Sequence, residues 1–513
     1  MRKVHIIIII VLSAVKTFAQ VPVIQWQKSL GSGGRDVANS IQQTYDGGYI
    51  LAGSAGSING DVSVGYGSGD YWLVKLDGFG AIQWEKCYGG FATDEGQCAK
   101  QTLDSGFVFI GRSQSGGVGS GNHGGDDYLV IKTDDLGNIQ WKKSLGGSSS
   151  DWGLSIEQTH DGGFIALGVS TSTNGDVIGN HGGGGDYWAV KLSNSGAVEW
   201  QKCYGGTGYD YGDFIHQTYD RGYIISGYSS STNGDVTGNH GQEDLWIIKT
   251  DSLGSIQWQK SLGGSSYESG TRIFQNVDSS YAVIGMSKSN NGNISGNHPY
   301  GDCWIIKLNS VGNIIWQKAF GGSNLDLGQD VQQTTDGGFI IGGYTTSNDG
   351  DVTGHHGSGD GWVLKLDSIG NLEWQKCLGG TNVDMINSIQ QTVDGAYVLA
   401  GNSTSNNGDL TSNKGQEDIW VIKLGQQVGL KENEVIPVVN AYPNPGNGSF
   451  IFTGLKKELL QVEVFNTIGE MIVTGLVNVD APGLDMRNFE NGIYFYRIKY
   501  SGRFQQGKLI IEK

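Results

Sequence analysis

Residues 256–264 read IQWQKSLGG, and close copies stand at 24–32 (IQWQKSLGS), 82–90 (IQWEKCYGG), 139–147 (IQWKKSLGG), 198–206 (VEWQKCYGG), 314–322 (IIWQKAFGG) and 372–380 (LEWQKCLGG). The anchoring tryptophans, Trp26, Trp84, Trp141, Trp200, Trp258, Trp316 and Trp374, recur at intervals of 57 to 59 residues. A fixed period of this size marks a repeat architecture in which each copy is one supersecondary unit.

Each period holds four short β-rich runs separated by turn residues. In the first full copy they are Ala38 to Thr44, Tyr49 to Ser54, Tyr71 to Leu76 and Ala81 to Lys86, termed strands a, b, c and d. The a–b link, Tyr45-Asp46-Gly47-Gly48, has the Asp-Gly step of a tight hairpin, and its aspartate recurs as Asp104, Asp161, Asp220, Asp278, Asp336 and Asp394. Four such strands cannot bury both faces alone, so the copies are expected to pack as the blades of a propeller. The array opens with a lone d strand at Ile24 to Ser29 and closes with a, b and c strands at Asn387 to Thr392, Ala396 to Gly401 and Asp418 to Leu424. The first strand therefore completes the last blade. The expected fold is all-β: a seven-bladed β-propeller of four-stranded blades, closed by its N-terminal strand, over residues 20–424.

Composition agrees with many tight turns, since the 513 residues include 86 Gly and only 6 Pro. The formal charge of −17 lies in the repeats, because residues 440–513 hold eight Lys/Arg against seven Asp/Glu. An acidic surface repels phosphate backbones and anionic lipid heads, which argues against nucleic-acid and membrane-surface partners. Residues 1–19 have the charged, apolar and small-residue regions of a cleavable export signal, with cleavage expected near Ala19. Its apolar run, Ile6 to Val15, is far shorter than the ~20 residues of a spanning helix. The five cysteines are odd in number. Three of them, Cys87, Cys203 and Cys377, share one repeat position with Ser29, Ser144 and Ser261, which suits small buried side chains rather than bridges.

Strand direction places the d–a and b–c loops on one face and the short hairpins on the other. The long b–c loops carry Tyr66, His123, His181, His240, His298, His356 and Lys414 at one position, a ring of candidate ligand contacts. Asp61, Asp176, Asp235, Asp351 and Asp409 follow an Asn-Gly or Asp-Gly step and are weak candidate Ca²⁺ ligands, since their spacing matches no calcium loop and Asx turns capping a Gly-rich loop explain them more cheaply. No other cofactor is expected. The hairpin face reads as plain, and no nucleophile elbow, phosphate loop or metal-spaced cysteine pair is present.

The stretch Lys249 to Trp258 is similar to the tryptophan-docking motif of quinoprotein propellers and to the Asp-box turn of sialidase-type propellers. The whole array is similar to glycine-rich repeats of secreted bacterial propellers. After a linker at 425–439, residues 440–513 alternate apolar positions with Gly/Asn turns and are expected to form a small β-sandwich. This tail resembles the type A C-terminal sorting domain of the Bacteroidetes type IX secretion system. The resemblance rests on Tyr442-Pro443-Asn444-Pro445, Val464-Phe465-Asn466 with Gly469, Asn491-Gly492-Ile493-Tyr494, and Gly507-Lys508 near the end. It implies the type IX machinery as partner and a secreted or outer-membrane surface-attached product. The function expected is a non-catalytic binding or adhesion propeller for a polysaccharide or surface protein. The alternative is an extracellular enzyme, a glycan lyase, hydrolase or quinoprotein-like dehydrogenase, with its site at the axial mouth.

Overall fold

Thirty-five strands make up the elements of the computed structural model, which describes residues 21–67, 69–115, 121–425, 439–453, 460–467, 470–500 and 503–513. The export signal, most of the linker and Gly469 lie outside the described residues. The chain divides into two compact units, Met1–Gln427 and Val428–Lys513.

The first unit contains seven four-stranded antiparallel sheets. Blade one is Val37–Gln43, Tyr49–Ala55, Asp70–Leu76 and Ile82–Tyr88, within one or two residues of each expected bound. Blade seven is Asp384–Gln391, Tyr397–Ser403 and Asp418–Gly425, completed by Val23–Leu30. The closing pair runs antiparallel in the register Trp26↔Lys423 and Ser29↔Trp420. Strand a of every blade lies against strand a of both neighbours, including blade seven against blade one. The ring is thus closed, and strand a lines its axis.

Each blade interface repeats one set of contacts. The strand d tryptophan of one blade packs its ring on the strand b aromatic of the next, from Trp84–Phe107 at 5.7 Å to Trp374–Tyr397 at 5.9 Å, and Trp26 meets Tyr49 across the closure at 5.7 Å. Near the axis a glutamine at the end of strand a accepts a backbone N–H from the neighbouring hairpin. Gln101 accepts from Tyr45, Gln158 from Leu103, Gln217 from His160, Gln275 from Tyr219, Gln333 from Val277 and Gln391 from Thr335. The seventh clasp, Val393 N–H to Gln43 Oε1 at 2.9 Å, joins the ends of the array. Six blades also bury a second tryptophan on strand c whose Nε1 donates to a strand d side chain, and at the closure Trp420 donates to Gln27 at 2.8 Å.

Inside each blade the recurrent hairpin aspartate has one role. Asp46 accepts from Gly48 N–H and pairs with the buried Lys75 at 2.8 Å. The same pair recurs in every blade, ending with Lys423–Asp394 at 2.7 Å. The five cysteines are free thiols, and four of them are buried.

The second unit is a small sandwich. One sheet holds Asn440–Tyr442, Ser449–Thr453 and Gly483–Asp485; the other holds Leu460–Phe465, Met471–Val477, Gly492–Tyr500 and Arg503–Ile511. Phe450, Val462, Val464, Val477, Met486 and Leu509 form its core.

Removing an interfacial ring leaves a cavity that a closed array cannot collapse without opening an interface. Trp26→Ala is expected to lower stability by about 2–4 kcal/mol, below the range for fully buried tryptophan because the ring is half-buried. Equilibrium unfolding in urea measures this, and an unchanged midpoint would contradict the inter-blade role.

Candidate functional site

Each histidine of the rim ring is tied to its own blade through the aspartate that opens strand c. His123 donates its backbone N–H to Asp127 Oδ2 and places Nδ1 2.9 Å from the same oxygen. His181–Asp186, His240–Asp244, His298–Asp302 and His356–Asp360 repeat this at 2.6 to 2.9 Å. Tyr66 and Lys414 keep the backbone half of the arrangement, donating N–H to Asp70 and Asp418. Lys414 also forms a short ion pair with Asp61 of blade one. The rim ring thus presents one partly exposed side chain per blade at separate stations.

The acidic loop residues are capping groups in this geometry. Asp61, Asp176, Asp235, Asp351 and Asp409 accept the backbone N–H of Gly31, Gly146, Gly205, Gly321 and Gly379 at 3.0 to 3.3 Å. Among the described residues no three His, Cys, Asp or Glu side chains converge as a metal-binding group. The d–a carboxylates are buried as well. Asp151, for example, accepts from Gly147 N–H, Ser170 and Ser172.

Between this carboxylate and the strand c aspartate sits a glycine. A Cβ on Gly146 would lie 2.4 Å from Asp127 Oδ1 and 2.7 Å from Asp151 Oδ2, and one on Gly321 would lie 2.6 Å from Asp302 Oδ1 and 2.5 Å from Asp326 Oδ2. Oδ1 of Asp70, Asp127, Asp186, Asp244, Asp302, Asp360 and Asp418 has no hydrogen-bond partner among the described residues. A glycine Cα–H directed into the pair supplies a weak donor there. Burial, with the charge of the facing carboxylate, pushes Asp186 and Asp302 above the ordinary range.

The axis is where the repeat stops being uniform. Strand a of each blade carries a β-bulge, between Gly96 and Cys98 in blade two and at the same place in the others. A bulge re-aims the extra side chain. The bulged residues Asn39, Gln97, Leu154, Asp213, Thr271, Gln329 and Asn387 line one layer of the channel. Beyond it, at the hairpin end, a cavity of about 670 Å³ opens, lined by residues from all seven blades. The hairpin face expected to be plain therefore holds the largest concave site among those described, because hairpins this short leave the axial mouth uncovered.

Within this mouth two layers of side chains follow a rule and break it. Gln42, Glu157, Gln332 and Gln390 each accept the backbone N–H of a glutamine on the next blade. One layer deeper, Ser40, Ser155, Asp330 and Ser388 do the same for the apolar residue two positions earlier, Ala99, Ile215, Ile389 and Ile41. Blades two, four and five instead carry Cys98 and Lys100, Phe214 and His216, and Arg272 and Phe274, which make no such bond among the described residues. Their side chains form a charged and aromatic patch. His216 Nδ1 lies 3.1 Å from Glu157 Oε2. Arg272 Nε lies 3.0 Å from Asp330 Oδ1, too poorly angled for a hydrogen bond, and its guanidinium covers the Phe214 ring at 4.6 Å. Against the cost of burial, the Glu157 charge raises His216 and the His216 charge lowers Glu157, each favouring the charged form of the other. Asp213 makes no hydrogen bond among the described residues, and enclosure pushes it well above the ordinary carboxylate range. The uniformity inferred from the rim does not extend to the axis. A repeat alignment of strand a would have exposed these departures, but only once strand a is known to be innermost.

In the tail, Asn444 Oδ1 accepts from Ile510 N–H at 2.8 Å and Asn491 Oδ1 from Lys513 N–H at 3.0 Å. Asn444 thereby ties the start of the sandwich to its last strand. Tyr442 is exposed, Ile493 and Tyr494 lie on the strand ending at Tyr500, and Gly507 faces the Tyr496 ring with no room for a Cβ. Pro443 and Pro445 flank Asn444, Gly492 precedes Ile493, and Lys508 follows Gly507.

Residues 440–512 match the family described as the secretion system C-terminal sorting domain. The chain thus carries a type IX sorting domain and is a secreted product. None of the curated proteins matches the chain in sequence. Among solved structures it is similar to the extracellular domain of a hybrid two-component system protein from B. thetaiotaomicron, at 9% identity and a TM-score of 0.41 over 95% of this chain and 59% of that one. It therefore spans 59% of the length of that relative. It is also similar to the Synechocystis apocarotenoid oxygenase, at 12% identity and a TM-score of 0.35 over 78% of this chain and 93% of that one.

The rim ionisations set a pH window. Asp186 and Asp302 hold protons more tightly folded than unfolded, so their contribution is complete below about pH 4 and falls away as pH rises through their folded values. His181, against burial, is raised by its bond to Asp186, and His298 by its bond to Asp302; their contribution is complete below about pH 6.5 and is lost above it. Asp46 and Asp161, held down to about 2 against burial by the hairpin bonds and their lysines, act oppositely and weaken the fold as pH drops toward that value. Tm is expected to peak between about pH 4 and 6.5 and to fall toward pH 8. A His181→Asn, His298→Asn double variant should flatten the upper limb, whereas a Tm that rises from pH 6.5 to 8 in the parent would contradict the assignment.

Proposed function

We propose that this chain is a secreted, non-catalytic glycan-binding propeller that takes a polysaccharide segment into the axial mouth on its hairpin face. The observation that carries this reading is the break in the seven-fold bonding rule at blades two, four and five, where Lys100, His216, Phe214, Arg272 and Phe274 stand in place of the acceptors that take a neighbouring backbone N–H and line the mouth instead. The mouth has the volume of a small-molecule site. Its wall combines amides, one lysine, two internally neutralised ion pairs and ring faces, a mixture suited to hydroxyl-rich, uncharged ligands.

A second reading has one observation in its favour. Asp213, recessed in the channel and raised in proton affinity, is an acid of the kind that protonates a leaving group. The rim residues Tyr66, His123, His181, His240, His298, His356 and Lys414 remain a separate set of stations for repeated weak contacts with a surface-bound polymer. Release into the medium or attachment at the outer membrane are both consistent with the sorting domain.

A glycan array with product analysis tests the proposal. Retention without new reducing ends is expected, and Lys100→Ala should weaken it about 10-fold, on the order of 1.4 kcal/mol, with Tm unchanged. Turnover abolished by Asp213→Asn would establish the enzyme instead.

A further inference from the structure

Thirteen of the fourteen tryptophans occupy repeated positions, seven on strand d and six on strand c. Trp152 belongs to neither set. It stands on strand a of the third blade, directly after Asp151, where the other blades carry Val37, Glu95, Tyr211, Ser269, Leu327 and Met385. This is the loop end of strand a, opposite the hairpin mouth.

Blades two to four build a wall around it. The Arg112 guanidinium lies 5.1 Å from the Trp152 ring centroid and is held by both oxygens of Glu95, at 2.8 and 3.0 Å. Trp152 Nε1 donates to Asp126 Oδ2 at 2.9 Å, which fixes the plane of the indole. Tyr211 meets the indole edge-on at 6.4 Å and stacks on Tyr228 at 5.2 Å with the rings 12° from parallel. Glu95, Gln97, Arg112, Trp152, Leu154 and Tyr211 enclose a hollow of about 290 Å³. Apart from Gln97, which recurs as Gln329, none of these side chains repeats around the ring, and the inter-blade tryptophan contacts are complete without them. The cluster is therefore not required by the propeller geometry.

We propose that this hollow is a saccharide subsite that seats one neutral hexopyranose unit of a polysaccharide against Trp152. The aliphatic C–H face of a pyranose matches an aromatic plane, and the fixed indole needs no reordering on binding. Arg112 lies over one face of the indole, and Glu95 and Gln97 line the hollow beside it with acceptors and donors for ring hydroxyls. Neutral sugars are favoured over uronates because Arg112 is already compensated by Glu95, with Asp126 4.0 Å away, and the chain carries a net charge of −17. The subsite shares the ligand class proposed for the axial mouth but none of its residues.

The test is ¹⁹F NMR of the secreted chain labelled with 5-fluorotryptophan, titrated with cellohexaose, mannohexaose, xylohexaose and hexaguluronate. The Trp152 resonance is identified by its absence in Trp152→Phe. At least one neutral hexasaccharide is expected to shift that resonance saturably while hexaguluronate does not, and Trp152→Ala should weaken its binding at least tenfold with Tm unchanged. Lys100→Ala separates the two sites. Binding lost in Lys100→Ala and kept in Trp152→Ala would overturn the subsite and leave the axial mouth standing; the reverse would do the opposite. A Trp152 resonance that no neutral hexasaccharide moves also overturns the subsite.

Discussion

The pairing of Val23–Leu30 with Asp418–Gly425 joins the two ends of the repeat array and makes every other interface possible. A row of sheets with open ends exposes strand edges and leaves two sheet faces uncovered. Once the first strand is donated to the last blade, each blade has two neighbours, and the same tryptophan, glutamine and glycine contacts recur at every boundary. The closing boundary uses the same groups, with Trp26 on Tyr49 and Gln43 accepting from Val393. Closure is therefore chemically indistinguishable from continuation.

That uniformity makes the departures informative. A ring of seven equal contacts needs an acceptor near the axis of each blade, and most blades supply a serine or aspartate and a glutamine or glutamate. Where Cys98 and Lys100, Phe214 and His216, or Arg272 and Phe274 stand instead, the ring loses bonds it could have made, and the channel gains charge and aromatic surface. The same logic separates Trp152 from its thirteen counterparts. At the rim, by contrast, histidines and aspartates recur because each holds its own loop.

Much of the fold was legible in the text of the chain, since strand boundaries follow local alternation and Asp-Gly turns, and the unpaired d strand at the start matches the missing d strand at the end. The recurrent Trp and hairpin Asp were legible for the same reason, and the structure explains the latter through Lys75 and its equivalents. The site was less so. Histidines at one loop position draw the eye, yet their Nδ1 atoms face Asp127, Asp186 and their equivalents, a contact set by loop geometry rather than spacing. The axial mouth depends on which strand is innermost and on a bulge that turns Asn39, Gln97 and Asp213 toward the axis. Neither is encoded in periodicity alone.

Hydrogen–deuterium exchange resolved by residue tests the closure most directly. Amides of Val23–Leu30 and Asp418–Gly425 are expected to exchange as slowly as those of interior strands such as Tyr223–Ser229, through global opening of the ring. Rapid exchange in Val23–Leu30, with the other blades still protected, would show that the first strand is not part of the seventh sheet.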